Sequence, residues 1–131
     1  MKIEHLGIAV KSLETSDNLF ARLLGEENYK QEAVEREGVT TSFYKVGDCK
    51  IELLEATNPE SPIAKFLDKR GEGVHHIAFG VNDISAEITR LKDAGFTFVS
   101  EEPKAGADNK LVVFLHPRST NGVLVELCQD I

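Results

Sequence analysis

The chain repeats itself. His5-Leu6-Gly7-Ile8-Ala9-Val10 aligns with His76-Ile77-Ala78-Phe79-Gly80-Val81 at an offset of 71 residues, and Ile51-Glu52-Leu53-Leu54 aligns with Val125-Glu126-Leu127-Cys128 at an offset of 74. Under the first offset Leu13 meets Ile84, Phe20 meets Leu91, and Gly25 and Gly95 agree within one residue. Self-similarity of this kind means two copies of one supersecondary unit. In a chain of 131 residues neither copy is long enough to bury its own helix and sheet, so the copies are expected to share one core. The expected organisation is a single domain, 1–131, with module one at 1–55, a connector helix region at 56–73 and module two at 74–131.

Composition narrows the function. Apolar residues make up 41% and charged residues 28%, the balance of a soluble globular domain. A net charge of −7 lacks the basic footprint of a nucleic-acid binder. No run approaches the roughly 18 apolar residues of a membrane span. Met1-Lys2-Ile3-Glu4 has no apolar signal-peptide region. Cys49 and Cys128 form neither a CxxC pair nor a disulfide framework, which fits a reducing, cytoplasmic setting. With no Trp and one Met, an aromatic-rich recognition surface is not expected, and a small-molecule partner is.

The periodicity predicts a strand over Ile3–Val10 and a helix from Ser12 to Leu24, with Leu13, Phe20, Leu23 and Leu24 in its apolar stripe. Gly25 is placed to end that helix. Thr40–Val46 and Lys50–Leu54 read as strands broken by Gly47-Asp48. Ser61-Pro62 reads as an N-cap followed by proline at the first helical position, opening a short connector helix that Gly71 stops. The second copy gives a strand over Val74–Val81, a helix over Asp83–Ala94, and strands over Phe96–Ser100, Leu111–His116 and Val123–Cys128. A polar loop is expected over Glu102–Lys110.

Two histidines and two glutamates fall into register: His5 and Glu52 in one copy, His76 and Glu126 in the other. The residues sharing each His face are small, Gly7 and Ala9 after His5, Ala78 and Gly80 after His76. The opposite faces are bulky and call for helices, whereas the small faces leave room around the imidazoles. Taken singly, each His reads as a structural histidine and each Glu as the wet side of a strand. The matched quartet points instead to a mixed N/O site for a borderline divalent cation. His75 points the other way and is expected to pack. Glu55 also faces away from Glu52, and its repeat mate is Gln129. Cys128 lies on the Glu126 side of its strand. Lys104, Lys110, His116 and Arg118 form a local positive excess, either a solvated loop or an anion-binding rim. No GxGxxG, P-loop, HExxH or GxSxG occurs, which removes the usual dinucleotide, phosphate-loop, zincin and hydrolase readings.

With these residues in place, the sequence resembles the vicinal-oxygen-chelate (glyoxalase/bleomycin-resistance) superfamily and, within it, is similar to the methylmalonyl-CoA epimerases. The carrying stretches are the two His strands, Lys50-Ile51-Glu52-Leu53-Leu54-Glu55, Ser61-Pro62-Ile63-Ala64-Lys65-Phe66-Leu67, and His116-Pro117 with Gly122-Val123-Leu124-Val125-Glu126-Leu127. The resemblance implies an α+β fold of two tandem βαβββ modules forming a curved mixed sheet with helices on the outer face. It implies a metal, cobalt or manganese with zinc or nickel as alternatives, held by His5, Glu52, His76 and Glu126. It further implies epimerisation of methylmalonyl-CoA at C2, with Glu126 in one acid/base role, and a homodimer. Some epimerases carry a second Glu on the strand after the first helix. Here that position aligns with Thr41, which cannot be a base at neutral pH, leaving Glu35, Glu37 or a water held by Thr41. A glyoxalase I-type lyase or isomerase and a metal-free binding module remain open as alternatives. An extradiol dioxygenase, built on two His and one carboxylate, fits the quartet less well.

Overall fold

The computed structural model describes all 131 residues, Met1–Ile131, as eight strands and three α-helices. None of these helices is long and apolar enough to cross a membrane. Two compact units emerge: His5–His75, and Met1–Glu4 together with His76–Ile131.

The unit His5–His75 takes the last five residues of β1 (Lys2–Ala9), then α1 (Leu13–Leu24), β2 (Lys30–Val34), β3 (Val39–Val46), β4 (Cys49–Ala56) and α2 (Pro62–Arg70). Its strands run in the order β2-β3-β4-β1, with β1 parallel to β4 and the other neighbours antiparallel. The Ser12 hydroxyl accepts from the Thr15 amide at 3.3 Å to start α1, and Gly25, at φ 74°, ends it in the left-handed region. Ile8, Val10, Tyr44, Ile51 and Leu53 pack against Leu13, Phe20 and Leu24 of that helix. Leu23, expected in the stripe, is 69% exposed. The sheet-facing stripe instead includes Asp17, which follows Leu13 by one turn and reaches Ser42 and Tyr44 on the sheet.

On the other side of the same strands, Ala9, Val39 and Leu54 pack against Ile63, Phe66 and Leu67 of α2. So α2 covers one end of the small-residue face and leaves the rest of it to His5 and Glu52. Ser61 caps α2 by accepting from the amides of Ile63 and Ala64 at 3.1 and 3.2 Å. Gly38 is required where the chain enters β3: its φ is +65°, and a Cβ there would lie 2.8 Å from Ser61 Cβ.

The unit formed by Met1–Glu4 and His76–Ile131 holds the start of β1, most of β5 (Gly73–Gly80), α3 (Ile84–Asp93), β6 (Lys104–Gly106), β7 (Lys110–Leu115) and β8 (Val125–Asp130). Its strand order is β1-β5-β8-β7-β6, with β5 parallel to β8 and β7 antiparallel to both β8 and β6. Asp83 caps α3 through the Ala86 amide at 3.0 Å. Ile84, Ile88 and Leu91 of α3 are buried against Phe98, Val113, Leu115, Val125 and Leu127. Burial contributes about 1.5–3 kcal/mol for each such side chain.

Two expectations fail here, each for its own physical reason. Phe96–Ser100 is not a strand, since only Phe98 bridges to Leu115. Phe98 is buried and Phe96 packs beside it, so the alternation reported burial without ladder pairing. The supposed loop over 102–110 contains β6, joined to β7 by a turn with Asp108 and Asn109 at φ 59° and 58°. Those left-handed positions set the hairpin, and no apolar pattern announces it. Strand β2, also unread, is a largely polar edge strand of the kind that alternation misses.

Candidate active site

Each unit places one imidazole beside one carboxylate by the same construction. In the first, β1 and β4 run parallel with Gly7 opposite Glu52 and His5 opposite Lys50. Glycine opposite the acid leaves space on that side, and His5 reaches across the stagger so that its Nδ1 lies 3.1 Å from Glu52 Oε2. Both are buried, at 4% and 6% exposure. In the second, β5 and β8 run parallel with Ala78 opposite Glu126. His76 Nε2 lies 3.3 Å from Glu126 Oε1, again with both side chains buried.

A third member of each set escaped the sequence reading. Phe43 stands opposite Glu52 on β3, and Phe114 stands opposite Glu126 on β7. The Phe114 ring meets His76 edge-on at 5.9 Å between centroids. The signal was available, because Phe43 and Phe114 are 71 residues apart, the spacing of the two histidines. These rings lower the local dielectric, which strengthens charge interactions beside them and makes an uncompensated buried carboxylate costly. Imidazole nitrogen and carboxylate oxygen are the donors a borderline divalent cation prefers, so the buried pairs fit that group.

The residues facing away from these pairs have structural work. Glu55 accepts from the Leu13 amide at 2.7 Å and Gln129 from the Ile84 amide at 2.7 Å. Each closes an orphan N–H at the first position of a helix. Repeat mates thus pin the Glu-bearing strands to α1 and α3.

His75 meets the Phe66 ring edge-on at 5.0 Å. Burial lowers its pKa from the ordinary 6.5 to about 4. Between those values the unfolded chain holds a proton that the folded chain does not, so stability rises with pH across this window and falls on acidification. This residue alone is expected to remove about 3 kcal/mol of stability on going from neutral pH to below the window. Urea melts of a His75→Phe chain should show a flatter dependence; an unchanged slope would assign the acid loss elsewhere.

Of the other expected site residues, Thr41 is 2% exposed and sits between Glu32 on β2 and Leu54 on β4. Lys104 is exposed at the start of β6, opposite Val112. His116 opens a 3₁₀ turn over Pro117–Ser119, its Nδ1 accepting from the Arg118 amide at 3.2 Å. The Arg118 side chain is exposed. Lys110 is no loop lysine: it begins β7, where it pairs with Asp130 and lies 3.8 Å from Glu4. Cys128 and Lys110 line a cavity of about 310 Å³ with Glu4, Gly80 and Asp130. Glu35 and Glu37 lie on a 3₁₀ turn between β2 and β3, at the end of the unit nearest Ser61. Burial raises the Glu37 carboxyl above its ordinary range.

Comparison with known proteins gives the family of the chain and its fold. The profile of the glyoxalase/bleomycin resistance protein/dioxygenase superfamily matches residues 4–114. An ethylmalonyl-CoA/methylmalonyl-CoA epimerase of Cereibacter sphaeroides is 44% identical over 130 residues, covering 98% of this chain and 97% of its own. A mitochondrial methylmalonyl-CoA epimerase of Homo sapiens is 40% identical over 129 residues, covering 98% of this chain and 73% of its own. A methylmalonyl-CoA epimerase solved in complex with methylmalonyl-CoA and NH4+ superposes with a TM-score of 0.91 at 35% identity, over 98% of this chain and 94% of its own.

Proposed function

The chain belongs to the glyoxalase/bleomycin resistance protein/dioxygenase superfamily and to the methylmalonyl-CoA epimerase family within it, and from that premise we propose that it interconverts the two C2 epimers of methylmalonyl-CoA. The observation that carries the reading is the duplicated, buried His/Glu pair. His5, Glu52, His76 and Glu126 are the residues assigned to hold one divalent ion, cobalt or manganese first, zinc or nickel as alternatives. A bound divalent ion supplies Lewis-acid stabilisation of the negative charge that develops on the thioester oxygen as the C2 proton leaves.

The residues do the rest. Glu126, a carboxylate in a dry setting, takes or returns the proton at C2 on one face of the substrate. The Phe43 and Phe114 rings exclude water, which protects the carbanionic centre from stray protonation. Lys104, His116 and Arg118 offer a positive rim for the CoA phosphates, and Thr41 contributes a hydroxyl at the acyl end. The working form is a cytoplasmic homodimer.

Purified protein in D₂O is expected to wash deuterium into C2 of methylmalonyl-CoA, and chelation is expected to abolish it. Wash-in that survives complete metal removal would overturn the metal-dependent scheme. The same preparation is expected to leave the hemithioacetal of methylglyoxal and glutathione unturned, which separates this reading from a glyoxalase.

A further inference from the structure

Each copy of the repeat carries a seat at the same register of its sheet, and the two seats are used differently. In the first copy Ala9 stands opposite Leu54 and Val39 opposite Ala56, and Ile63, Phe66 and Leu67 of α2 fill this apolar seat. In the second copy Gly80 stands opposite Cys128 and Lys110 opposite Asp130. These are the repeat mates of the first four, at the same offsets of 71 and 74 that align the histidines and the glutamates. All four line the cavity of about 310 Å³, joined there by Lys2 and Glu4 of the same unit. A place that the first copy packs with side chains is thus, in the second, a space of the size that small-molecule sites occupy.

The lining decides what kind of group fits. Hydrocarbon suits the first seat, whereas the second presents ammonium and carboxylate groups that an apolar occupant would desolvate at a cost. A phosphate or carboxylate calls for a surplus of positive charge, and here Lys2 and Lys110 are balanced by Glu4 and Asp130. Lys110 pairs with Asp130 and lies 3.8 Å from Glu4. A neutral chain with its own donors and acceptors meets both conditions. An amide does so directly: its carbonyl accepts from an ammonium such as that of Lys110, and its N–H donates to a carboxylate such as that of Glu4.

The cavity also lies at a matching distance from the chemistry. Cys128 follows Glu126 by two residues on β8 and shares its face, about 7 Å further along the strand. Gly80 follows His76 by four residues on β5, again on one face. In an acyl-CoA thioester the first amide nitrogen stands five bonds from C2 of the acyl group, about 6 Å when extended. We propose that this cavity holds the amide-bearing pantetheine arm of the thioester, with Gly80 admitting it and Lys110 and Glu4 meeting its amides; this rests on the epimerase reading above. Gly80 lies outside the left-handed region, and a Cβ there would meet Glu4 and Lys2 at an ordinary 3.6 Å. The fold therefore accepts alanine at this position, and a larger side chain enters the cavity. Contacts to the arm are the same before and during proton transfer, so they act on KM rather than on kcat.

Two substrates separate the arm from the chemistry: methylmalonyl-pantetheine, which has both amides and no phosphate, and the S-ethyl thioester of methylmalonic acid, which has neither. The wild type is expected to favour the pantetheine thioester by at least about tenfold in kcat/KM, the worth of one or two hydrogen bonds. Gly80→Val is expected to erase that preference by raising KM for the pantetheine thioester, with kcat/KM for the ethyl thioester unchanged. Gly80→Ala should fall between, and Lys110→Met, which keeps the stem and discards the donors, should show the same selective loss. These two make the comparison if Gly80→Val does not fold. A wild type with no preference overturns the proposal, as does a preference that survives Gly80→Val. Equal loss on both thioesters at a wild-type melting temperature also overturns it, since that marks a disturbance at Glu126. A wild type inert towards both thioesters and towards methylmalonyl-CoA instead sinks the epimerase reading, an outcome distinct from activity without preference.

Discussion

His76→Ala protein is expected to purify folded, without its divalent ion, and with C2 proton exchange lowered by at least about 10³-fold, equivalent to about 4 kcal/mol of transition-state stabilisation. The reason lies in the pairing. His76 is 5% exposed and its Nε2 lies 3.3 Å from a Glu126 carboxylate oxygen, so truncation removes one donor and leaves the buried carboxylate without that neighbour. Losing a ligand of this kind weakens the charge compensation of the acid and the hold on the ion together. Glu126→Gln probes the other half of the pair, because it keeps the shape and discards the charge; it should lose both exchange and affinity for the ion. His75→Ala is the control. It alters the adjacent residue, whose ring packs on Phe66, and should leave metal content unchanged. Element-resolved metal analysis of the three variants beside the wild type decides the matter, and stoichiometric metal in His76→Ala would remove the basis of the scheme.

How far the fold could be read beforehand depended on where each residue's partners lie along the chain. Helix starts are local chemistry: Ser12, Ser61-Pro62 and Asp83 cap α1, α2 and α3 through amides two or three residues ahead. The strands bearing His5, Glu52, His76 and Glu126 were legible because duplication repeats their small-residue faces at one spacing. Edge strands were not. Lys30–Val34 and Lys104–Gly106 owe their existence to hairpin turns and to the neighbours they pair with, and their polar side chains give no alternation to detect. Phe98 misled in the opposite sense, since its burial under α3 mimics a strand. At the site, the acids and imidazoles stood out as chemistry, whereas Phe43 and Phe114 looked like ordinary core.

Asp17 is the sharpest departure from pattern, and it carries the second large prediction. Under the 71-residue offset Leu13, Asp17 and Phe20 correspond to Ile84, Ile88 and Leu91, so an aspartate stands where the second copy buries an isoleucine. The sheet beneath it is polar to match. Asp17 accepts from the Ser42 hydroxyl at 2.6 Å, the Tyr44 hydroxyl at 2.5 Å and the Gln31 amide at 2.7 Å. Ser42 and Tyr44 are 0% and 1% exposed. Burial, followed by the adjoining Asp17 carboxylate, holds the Tyr44 phenol above its ordinary pKa, so it stays a donor throughout the physiological range. Asp17→Ala removes the carboxylate acceptor of two buried hydroxyls, leaving Ser42 without it and Tyr44 with only its longer contact to the Asp17 main-chain carbonyl at 3.3 Å. The expected loss is about 3 kcal/mol, from about 1–3 kcal/mol for each buried donor left unsatisfied, measured by urea denaturation. Asp17→Asn keeps an acceptor oxygen and should lose less. If the cost comes from stranded donors rather than from a missing carboxylate, removing the donors as well must recover it. The combined variant Asp17→Leu, Ser42→Ala, Tyr44→Phe should therefore be more stable than Asp17→Ala alone, because replacing both sides of a buried polar contact with apolar groups is close to neutral. A triple variant less stable than the single would mean that Asp17 acts on α1 by some route other than its hydroxyl partners.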